Sequence, residues 1–347
     1  MEISIKEAYK RASVSLRNKM KHGIELMQKA EKLALAYDKD NGYFLAFSGG
    51  KDSQCLYHMA QLAGVKFKAH MSLTSIDPPE VIKFVRANYK DVEMIKPKDS
   101  IFNIAVKLKN LPTMKMRWCC AEFKEQAGSG KATLIGIRKQ ESTRRSRRNE
   151  VEVSSHKFSG NIEQLDKFRE ERNKRKSSKA ITIVNATGER TLGCIHGKET
   201  LLISPILEWS ESDVWEFLNQ VVCVPHCELY DNGFKRIGCL LCPMSNPRQK
   251  QFEIKKYPHI KKNWIKAIKK IRMGGGYAKL NYIKQGKRNL EKKEKNAKFS
   301  DSSSCDRFND ELETEIAENI FDWWISGKSY KKWFAEKFLQ QKFNFDD

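Results

Sequence analysis

The sequence contains no long apolar run, and this absence excludes one class of protein. A membrane-spanning helix needs about 20 consecutive apolar residues, and no run in the 347 residues approaches that length. The first residues are amphipathic, with apolar side chains at helical spacing between Leu16 and Leu33, and they do not resemble a secretory signal. We therefore expect a cytoplasmic protein with no membrane partner.

Acidic residues are too few to balance the basic ones. Lys and Arg number 65 against 43 Asp and Glu, which gives a formal net charge of +22. Such a charge concentrates polyanions near the surface, and nucleic acid is the obvious polyanion. Basic charge that only solubilises the fold, or a Lys-rich source proteome, would give the same composition, so both interpretations stay open here.

Internal repeats are also absent, and the chain instead alternates short β-like runs with helical ones from residue 42 onward. The β-like runs cover residues 43–47, 67–73, 92–95 and 132–137. This alternation predicts an α/β fold of the Rossmann-like kind, in which helices flank a parallel sheet. Ligands of such sheets bind at the carboxyl ends of the strands.

One loop between the first β-like run and a helical segment carries the strongest functional signal. It consists of Ser48, Gly49, Gly50, Lys51, Asp52 and Ser53. Two glycines allow a sharp turn that directs several backbone N–H groups at one anion, and the following helix adds the positive end of its dipole. The spacing is not that of a Walker A loop. We expect a nucleotide phosphate here, and a plain surface turn is the alternative.

Cysteines form a second constellation. An adjacent pair and a downstream Cys-x-x-Cys supply Cys119, Cys120, Cys239 and Cys242. Four thiolates are enough for a [4Fe–4S] cluster or a tetrahedral zinc ion, and buried free thiols are the third interpretation. Cys227, with Cys223, is close enough in sequence to the Cys-x-x-Cys to replace the upstream pair. Cys119 and Cys227 therefore compete for the fourth ligand position.

Together the loop and the cysteines resemble the phosphoadenosine phosphosulfate reductase family of PP-loop ATP pyrophosphatases. In the adenylyl-sulfate branch of that family, a CC pair and a CxxC hold an iron–sulfur cluster. Further resemblance extends over most of residues 41–250. Gly136 and Arg138, with Glu141-Ser142 and Arg144, are similar to the family segment G-x-R-x-x-E-S-x-x-R, and Arg236 lies in a run similar to Y-x-x-G-x-x-R-x-G-C.

The resemblance implies a fold, a reaction and roles for individual residues. The fold would be adenine nucleotide alpha hydrolase-like, and ATP would be cleaved between its α and β phosphates. Pyrophosphate would be held by Ser48, Gly49, Gly50, Asp52 and Ser53. Lys51 would neutralise the leaving group, Asp77 would lie near the nucleotide or hold Mg²⁺, and Gly136 would line the nucleotide. The substrate phosphate would be clamped by Arg138, Arg144 and Arg236.

The chain departs from the true reductases in two respects. Their phosphate loop is degraded, whereas this one is intact, and they end in an E-C-G-L-H nucleophile that has no counterpart here. ATP sulfurylase small subunits have a similar loop, but they do not explain the cysteines. The remaining resemblance is to the PP-loop iron–sulfur protein of bacterial DNA phosphorothioation systems, which is thought to adenylylate the DNA backbone before sulfur is inserted. tRNA thiolases apply the same order of steps, adenylylation before sulfur insertion, to a base.

These resemblances define the expected function. We expect an adenylylating enzyme for sulfur transfer to nucleic acid, with DNA favoured over RNA, that uses ATP, Mg²⁺ and a [4Fe–4S] cluster, with zinc as the alternative metal. A cysteine desulfurase or a protein of the same operon is the expected protein partner. The alternatives are an assimilatory (phospho)adenylyl-sulfate reductase and a nucleotide-dependent DNA-binding switch of a defence operon, in which Trp323-Trp324 would dock a partner.

The expected organisation has four parts. A helical segment covers residues 1–40, and the nucleotide-binding domain covers 41–220 with a polar insertion at 149–200. A cysteine-rich loop follows at 221–250, and a basic helical region covers 251–347.

Overall fold

The protein is described by a computed structural model over most of its length. The described residues are 3–125, 127–128, 130–154, 159–160, 183–184, 190–191, 200–276, 302–329, 332–333 and 336–337. The chain divides into two compact units. Unit 1 comprises Met1–Leu73, Asp77–Lys96 and Glu122–Gly238, and unit 2 comprises Thr74–Ile76, Pro97–Ala121 and Cys239–Asp347, each so far as it is described. The expected cysteine-rich loop 221–250 is thus shared between the units.

Unit 1 is built on a sheet of seven strands within the described residues. Nine strands occur in the described residues, seven in this sheet and two in a separate pair. In chain order they are β1 Tyr43–Phe47, β2 Phe67–Ser72, β3 Glu93–Ile95, β4 Ala132–Ile135, β5 Val151–Ser154, β6 Ser159–Gly160, β7 Ile183–Val184, β8 Arg190–Thr191 and β9 Thr200–Ile203. The sheet order is β3-β2-β1-β4-β9-β5-β6, and β7 and β8 pair separately. The first five strands of that order are parallel, whereas β5 is antiparallel to both of its neighbours.

The parallel part of the sheet confirms the predicted α/β fold. β1 lies at its centre, and the adjacent residues Phe44 and Leu45, whose side chains point to opposite faces of the strand, are both buried. A strand that is buried on both faces must be apolar throughout, which explains the continuous run Tyr-Phe-Leu-Ala-Phe. The expected insertion 149–200 begins with β5, and most of its remaining residues lie outside the described part of the chain.

Helices cover the sheet and build unit 2. In chain order they are α1 Ile5–Arg11, α2 Val14–Tyr37, α3 Lys51–Ala63, α4 Pro79–Asn88, α5 Ile101–Lys107, α6 Trp118–Cys120, α7 Glu211–Glu216, α8 Pro247–Lys256, α9 Pro258–Met273 and α10 Ser302–Ser326. Shorter turns are the π-helical Ala121–Glu125 and Phe217–Val221 and the 3₁₀ turns Lys139–Glu141 and Arg145–Arg147. None of the helices in the described part of the chain has the length and apolar character needed to cross a membrane.

Local sequence explains where several helices begin. Ser4, Ser13, Ser100, Ser210 and Asn246 each accept a hydrogen bond from the backbone N–H three residues further on. These side chains satisfy N–H groups that have no partner inside the helix. The capped helices α1 and α2 both lie within residues 1–40, the region for which a helical segment was predicted.

The core of unit 2 contains a cluster of aromatic side chains in edge-on and tilted contact. Trp264 of α9 contacts Phe102 and Trp324, with ring centroids 4.9 Å apart in each case. The Trp324 indole N–H donates to the Pro112 carbonyl at 2.6 Å, and the residue is only 8% exposed. The Trp324 side chain therefore serves core packing, whereas the DNA-binding-switch alternative gave it a role in docking a partner.

Candidate active site

The phosphate loop lies where the order of the parallel sheet reverses direction. From β1 the chain continues through α3 to β2 on one side, while β4 pairs with the other side of β1. Ligands of doubly wound sheets bind in the crevice that forms at such a reversal, beyond the carboxyl ends of the strands. The loop after β1 and the segment after β4 meet at this crevice, so Ser48 to Ser53 and Gly136 to Arg138 share one site.

Two glycines make this close meeting sterically possible. Gly49 has a φ of +70°, and a Cβ atom there would lie 2.7 Å from Val85 Cγ2 and 2.8 Å from Val81 Cγ1. A Cβ atom on Gly136 would lie 2.8 Å from the backbone oxygen of Asp52. Real Cβ contacts are not this short, so a side chain at either position would displace the loop.

The hydroxyl of Ser53 closes the loop from within. It accepts hydrogen bonds from the Ser48 N–H and the Ser48 hydroxyl, both at 3.2 Å, and donates to the Gly50 carbonyl at 2.8 Å. Gly50 is the N-cap residue of α3 and has no side chain to cap the helix. The first turn of α3 therefore receives no capping hydrogen bond from its own N-cap side chain, and its N–H groups point toward the crevice where an anion could accept from them.

Lys51 is buried at the start of α3, with a side chain that is 5% exposed. Its ammonium nitrogen donates to the Lys235 carbonyl at 3.2 Å and lies 3.6 Å from Glu211 Oε1 and 3.9 Å from Asp52 Oδ2. Its backbone N–H donates to the Tyr230 hydroxyl at 2.8 Å. Burial raises the pKa of Tyr230, so its hydroxyl keeps its proton.

Arg138 and Asp52, both predicted site residues, form an ion pair. Arg138 Nε donates to Asp52 Oδ1 at 2.5 Å, and Arg138 is 3% exposed. A second guanidinium nitrogen, Nη1, donates to Gln140 Oε1 at 3.3 Å. The pair fixes the segment after β4 against the phosphate loop.

Arg145 was not among the predicted site residues, yet it belongs to the charged group around Asp52. Burial and, after it, the positive charges of Arg236, Arg148 and Arg138 together lower the pKa of Arg145 to about 10, although the negative charge of Asp52 acts in the opposite direction. Arg145 also pairs with Glu141. The half-buried guanidinium thus lies in an electropositive environment that favours an anion.

Arg144, the predicted residue, is exposed. The pattern G-x-R-x-x-E-S-x-x-R, counted from Gly136, ends at Arg145, so a strict count of the spacing identifies the half-buried arginine rather than Arg144. Arg236 is exposed as well, but its charge acts on Arg145. Asp77 is half-buried on the loop between β2 and α4, and its role as an Mg²⁺ ligand stays a prediction.

Four of the predicted cysteine ligands lie in unit 2, where they form one group. Cys119 and Cys120 lie on α6, and Cys239 and Cys242 flank Leu240 and Leu241; all four are half-buried thiols. The pKa of Cys119 is raised, first by its hydrogen bond with Cys120, then by burial and by repulsion from Cys120, Cys239 and Cys242. The four thiols are therefore close enough to interact electrostatically.

The Cys-x-x-Cys loop is held by backbone hydrogen bonds. The Leu240 N–H donates to the Ile76 carbonyl at 2.9 Å, and the Leu241 N–H donates to Glu253 Oε2 at 2.6 Å. Leu241 has a φ of +54°, a strained conformation for a residue with a side chain. These bonds hold the loop in that conformation and keep its two thiols in a fixed position.

Four soft thiolate donors suit a [4Fe–4S] cluster or zinc by their chemistry. Nevertheless, no three His, Cys, Asp or Glu side chains are arranged to hold a metal ion within the described residues. Cys227 is fully buried and belongs to unit 1, as does the exposed Cys223. The cluster and its fourth ligand stay predictions.

Comparison with known proteins identifies the family. Residues 42–245 match the phosphoadenosine phosphosulfate reductase domain, and this range contains the phosphate loop, the arginine segment and the cysteines. The match covers more than half of the chain. The chain therefore belongs to the phosphoadenosine phosphosulfate reductase domain family, which indicates a nucleotide-handling enzyme.

Individual relatives are more distant. Two uncharacterized proteins of Methanocaldococcus jannaschii are 26% and 24% identical to the chain, over 65% and 68% of its length and 47% and 44% of theirs. The chain thus spans about half the length of the curated relatives it matches. Among solved structures, FMN adenylyltransferase of Candida glabrata in complex with FAD and inorganic pyrophosphate has a TM-score of 0.40 at 13% identity, covering 72% of this chain and 80% of that one.

Proposed function

We propose that the protein is an ATP pyrophosphatase that adenylylates an acceptor on nucleic acid as a step of sulfur transfer. The observation that carries the proposal is the intact phosphate loop, which lies beside the Arg138–Asp52 pair at the reversal point of the sheet. Backbone N–H groups of α3 and the Lys51 ammonium are the donors that a pyrophosphate leaving group requires. Membership of the family supports the same chemistry.

The proposed reaction transfers the adenylyl group of ATP to the acceptor. An oxygen of the acceptor attacks the α-phosphorus of ATP, the bond to the β-phosphate breaks, and pyrophosphate leaves with the electron pair. Lys51 and the loop N–H groups neutralise the charge that develops on pyrophosphate. Mg²⁺ would supply further neutralisation when bound, and Asp77 is the side chain proposed to hold it.

Positive charge supports nucleic acid as the acceptor. The net charge of +22 attracts a polyanion, and Arg145 with Arg236 lies next to the nucleotide loop in unit 1. We propose duplex DNA in preference to RNA because of the resemblance to phosphorothioation proteins. The cysteine group would carry sulfur or hold a [4Fe–4S] cluster, and a cysteine desulfurase or an operon partner would supply the sulfur.

The test is pyrophosphate release from ATP by anaerobically purified protein, with and without duplex DNA or bulk tRNA. We expect pyrophosphate rather than orthophosphate, with stimulation by DNA above that by tRNA. Lys51→Ala should lower the rate about 100-fold, as loss of a donor to developing charge does. Lys29→Ala, at a side chain that is 78% exposed on α2, is the matched control and should leave the rate unchanged.

Three results would contradict parts of the proposal. Normal pyrophosphate release by Lys51→Ala would overturn the role of the loop. Stimulation by tRNA alone would identify RNA as the acceptor. ATP-dependent DNA binding without any pyrophosphate would favour the nucleotide-dependent DNA-binding switch.

A further inference from the structure

The phosphate loop is already engaged by another segment of unit 1. The Tyr230 hydroxyl accepts the Lys51 backbone N–H at 2.8 Å, and the Lys235 carbonyl accepts from the Lys51 ammonium at 3.2 Å. The same ammonium lies over the Tyr230 ring, 5.4 Å from its centroid. Both kinds of donor that a phosphate needs, a helix N-terminal N–H and the buried lysine, therefore have protein acceptors.

These acceptors are weaker than a nucleotide phosphate. A phenol oxygen and a peptide carbonyl are neutral, whereas phosphate oxygens are anionic; they form a charge-assisted hydrogen bond with the backbone N–H, about twice as strong as a neutral one, and an ion pair with the ammonium. A phosphate that enters the loop would therefore replace Tyr230 and the Lys235 carbonyl. The observed affinity for the phosphate would be lowered by the free energy that those two contacts contribute.

Residues 229–235 can give up these contacts to a phosphate without unfolding. Leu229 and Phe234 are buried, and the Phe234 N–H donates to the Leu229 carbonyl at 3.0 Å. Between these anchors, residues 231–233 are exposed, and Gly233 has a φ of +85°. The Tyr230 ring is half-buried edge-on to Trp215, with centroids 5.2 Å apart. The tyrosine can therefore move while its neighbours stay packed.

We propose that Tyr230 and the Lys235 carbonyl form a latch that holds the phosphate loop closed until ATP displaces it. The proposal rests on the proposed function, namely that the loop binds the phosphates of ATP. The latch residues lead directly into Arg236 and, four positions after Lys235, into Cys239. Displacement of the latch would therefore act on residues that directly precede Arg236, one of the residues proposed to bind the substrate phosphate.

Removal of one hydroxyl tests the latch. Tyr230→Phe keeps the ring and removes the acceptor of the Lys51 N–H. We expect it to bind α,β-methylene ATP about three- to tenfold more tightly than the wild type in calorimetry, since a single hydrogen bond no longer competes. Tyr9→Phe, for which the structure gives no hydroxyl hydrogen bond among the described contacts, is the matched control and should leave the affinity unchanged.

Two further readouts follow the motion itself. Tryptophan fluorescence should change when the analogue binds, because Trp215 contacts Tyr230, and Trp215→Phe should remove most of that change. Hydrogen–deuterium exchange of the wild type should rise in residues 226–238 and fall in residues 48–53 on binding. This measurement uses only the wild-type protein, so its result does not depend on whether a variant folds.

The outcomes separate the latch from the proposed function. Weaker binding by folded Tyr230→Phe would make Tyr230 a phosphate ligand and overturn the latch. Reduced exchange in residues 226–238 on binding would also overturn it, because the segment would then close on the nucleotide. Absence of any analogue binding by the wild type would instead refute the nucleotide loop, and with it the proposed function.

Discussion

His58 on α3 is an ionisable side chain that the fold holds neutral. Burial lowers its pKa to about 4. Its Nδ1 lies 2.9 Å from Gln61 Oε1, which can only accept, so Nδ1 carries the proton and Nε2 accepts from the Tyr89 hydroxyl at 3.2 Å. Tyr89 in turn accepts from Gln54 Nε2 at 2.8 Å. The network therefore connects the neutral histidine to the residue after Ser53.

This environment predicts a loss of stability in mild acid. The unfolded chain binds a proton at His58 near its usual pKa of 6.5, whereas the folded protein binds it only near pH 4. The free energy of unfolding should therefore fall as pH decreases from about 7 to 5. Urea unfolding should show a shallower decline for His58→Gln. His70, whose pKa is also lowered by burial, should keep part of the slope in that variant.

The control for this prediction is an exposed histidine. His259→Gln should retain the full wild-type decline between pH 7 and 5. An unchanged slope in His58→Gln would mean that the imidazole is solvated in the folded protein.

Single side chains also show how far the sequence determines the candidate site. The Gly-Gly-Lys loop could be predicted because its chemistry is local and lies in six consecutive residues. Arg145 was within reach of a strict count of motif spacing. The contact of Tyr230 with Lys51 could not be predicted, because 179 residues separate the two and only the tertiary fold brings them together.

Among the secondary-structure elements, α8 anchors the Cys-x-x-Cys loop. Glu253 is 5% exposed and accepts the Leu241 N–H at 2.6 Å, and Gln249 Nε2 donates to its other oxygen at 3.1 Å. Lys250, one turn earlier on the helix, is 3% exposed, and its ammonium donates to the Ile325 carbonyl of α10 at 3.4 Å. Burial raises the pKa of Glu253 and lowers that of Lys250. The helix thus presents buried polar groups to the loop.

Loss of this anchor should destabilise the protein. Glu253→Ala leaves the buried Leu241 N–H without its acceptor, which costs about 1–3 kcal/mol of unfolding free energy. Glu253→Gln retains an acceptor oxygen and should cost less. Urea denaturation measures both variants, with the exposed Glu315→Ala of α10 as the control. Wild-type stability in Glu253→Ala would show that the loop does not depend on α8.

The elements themselves were unequally predictable. The parallel strands β1 to β4 follow from short β-like runs, and the signal is clearest for β1, where burial on both faces requires a continuous apolar run. β5 has the sequence Val-Glu-Val-Ser, whose alternation is too short to identify, and its partner β9 begins 46 residues after β5 ends. The antiparallel extension of the sheet was therefore beyond prediction from local pattern.

For the protein as a whole, the excess of positive charge is the property that most strongly suggests a polyanionic partner. Arg144 and Arg236 are exposed, and neither forms an ion pair among the described contacts. Arg145 is half-buried, and the positive charge of Arg236 acts on it. An extended anion that reaches the nucleotide site would meet these side chains first, so they should contribute to affinity mainly by neutralising phosphates.

Salt dependence tests this expectation. The logarithm of the association constant for duplex DNA should fall linearly with the logarithm of KCl concentration, since each neutralised phosphate releases counterions with a slope of about −0.9. Fluorescence anisotropy between about 50 and 200 mM KCl measures the slope. The double variant Arg144→Gln/Arg236→Gln should reduce its magnitude by about 2 if each arginine contacts one phosphate, whereas Lys29→Gln should not change it. Affinity that does not vary with salt would show that the charge serves solubility rather than nucleic-acid binding.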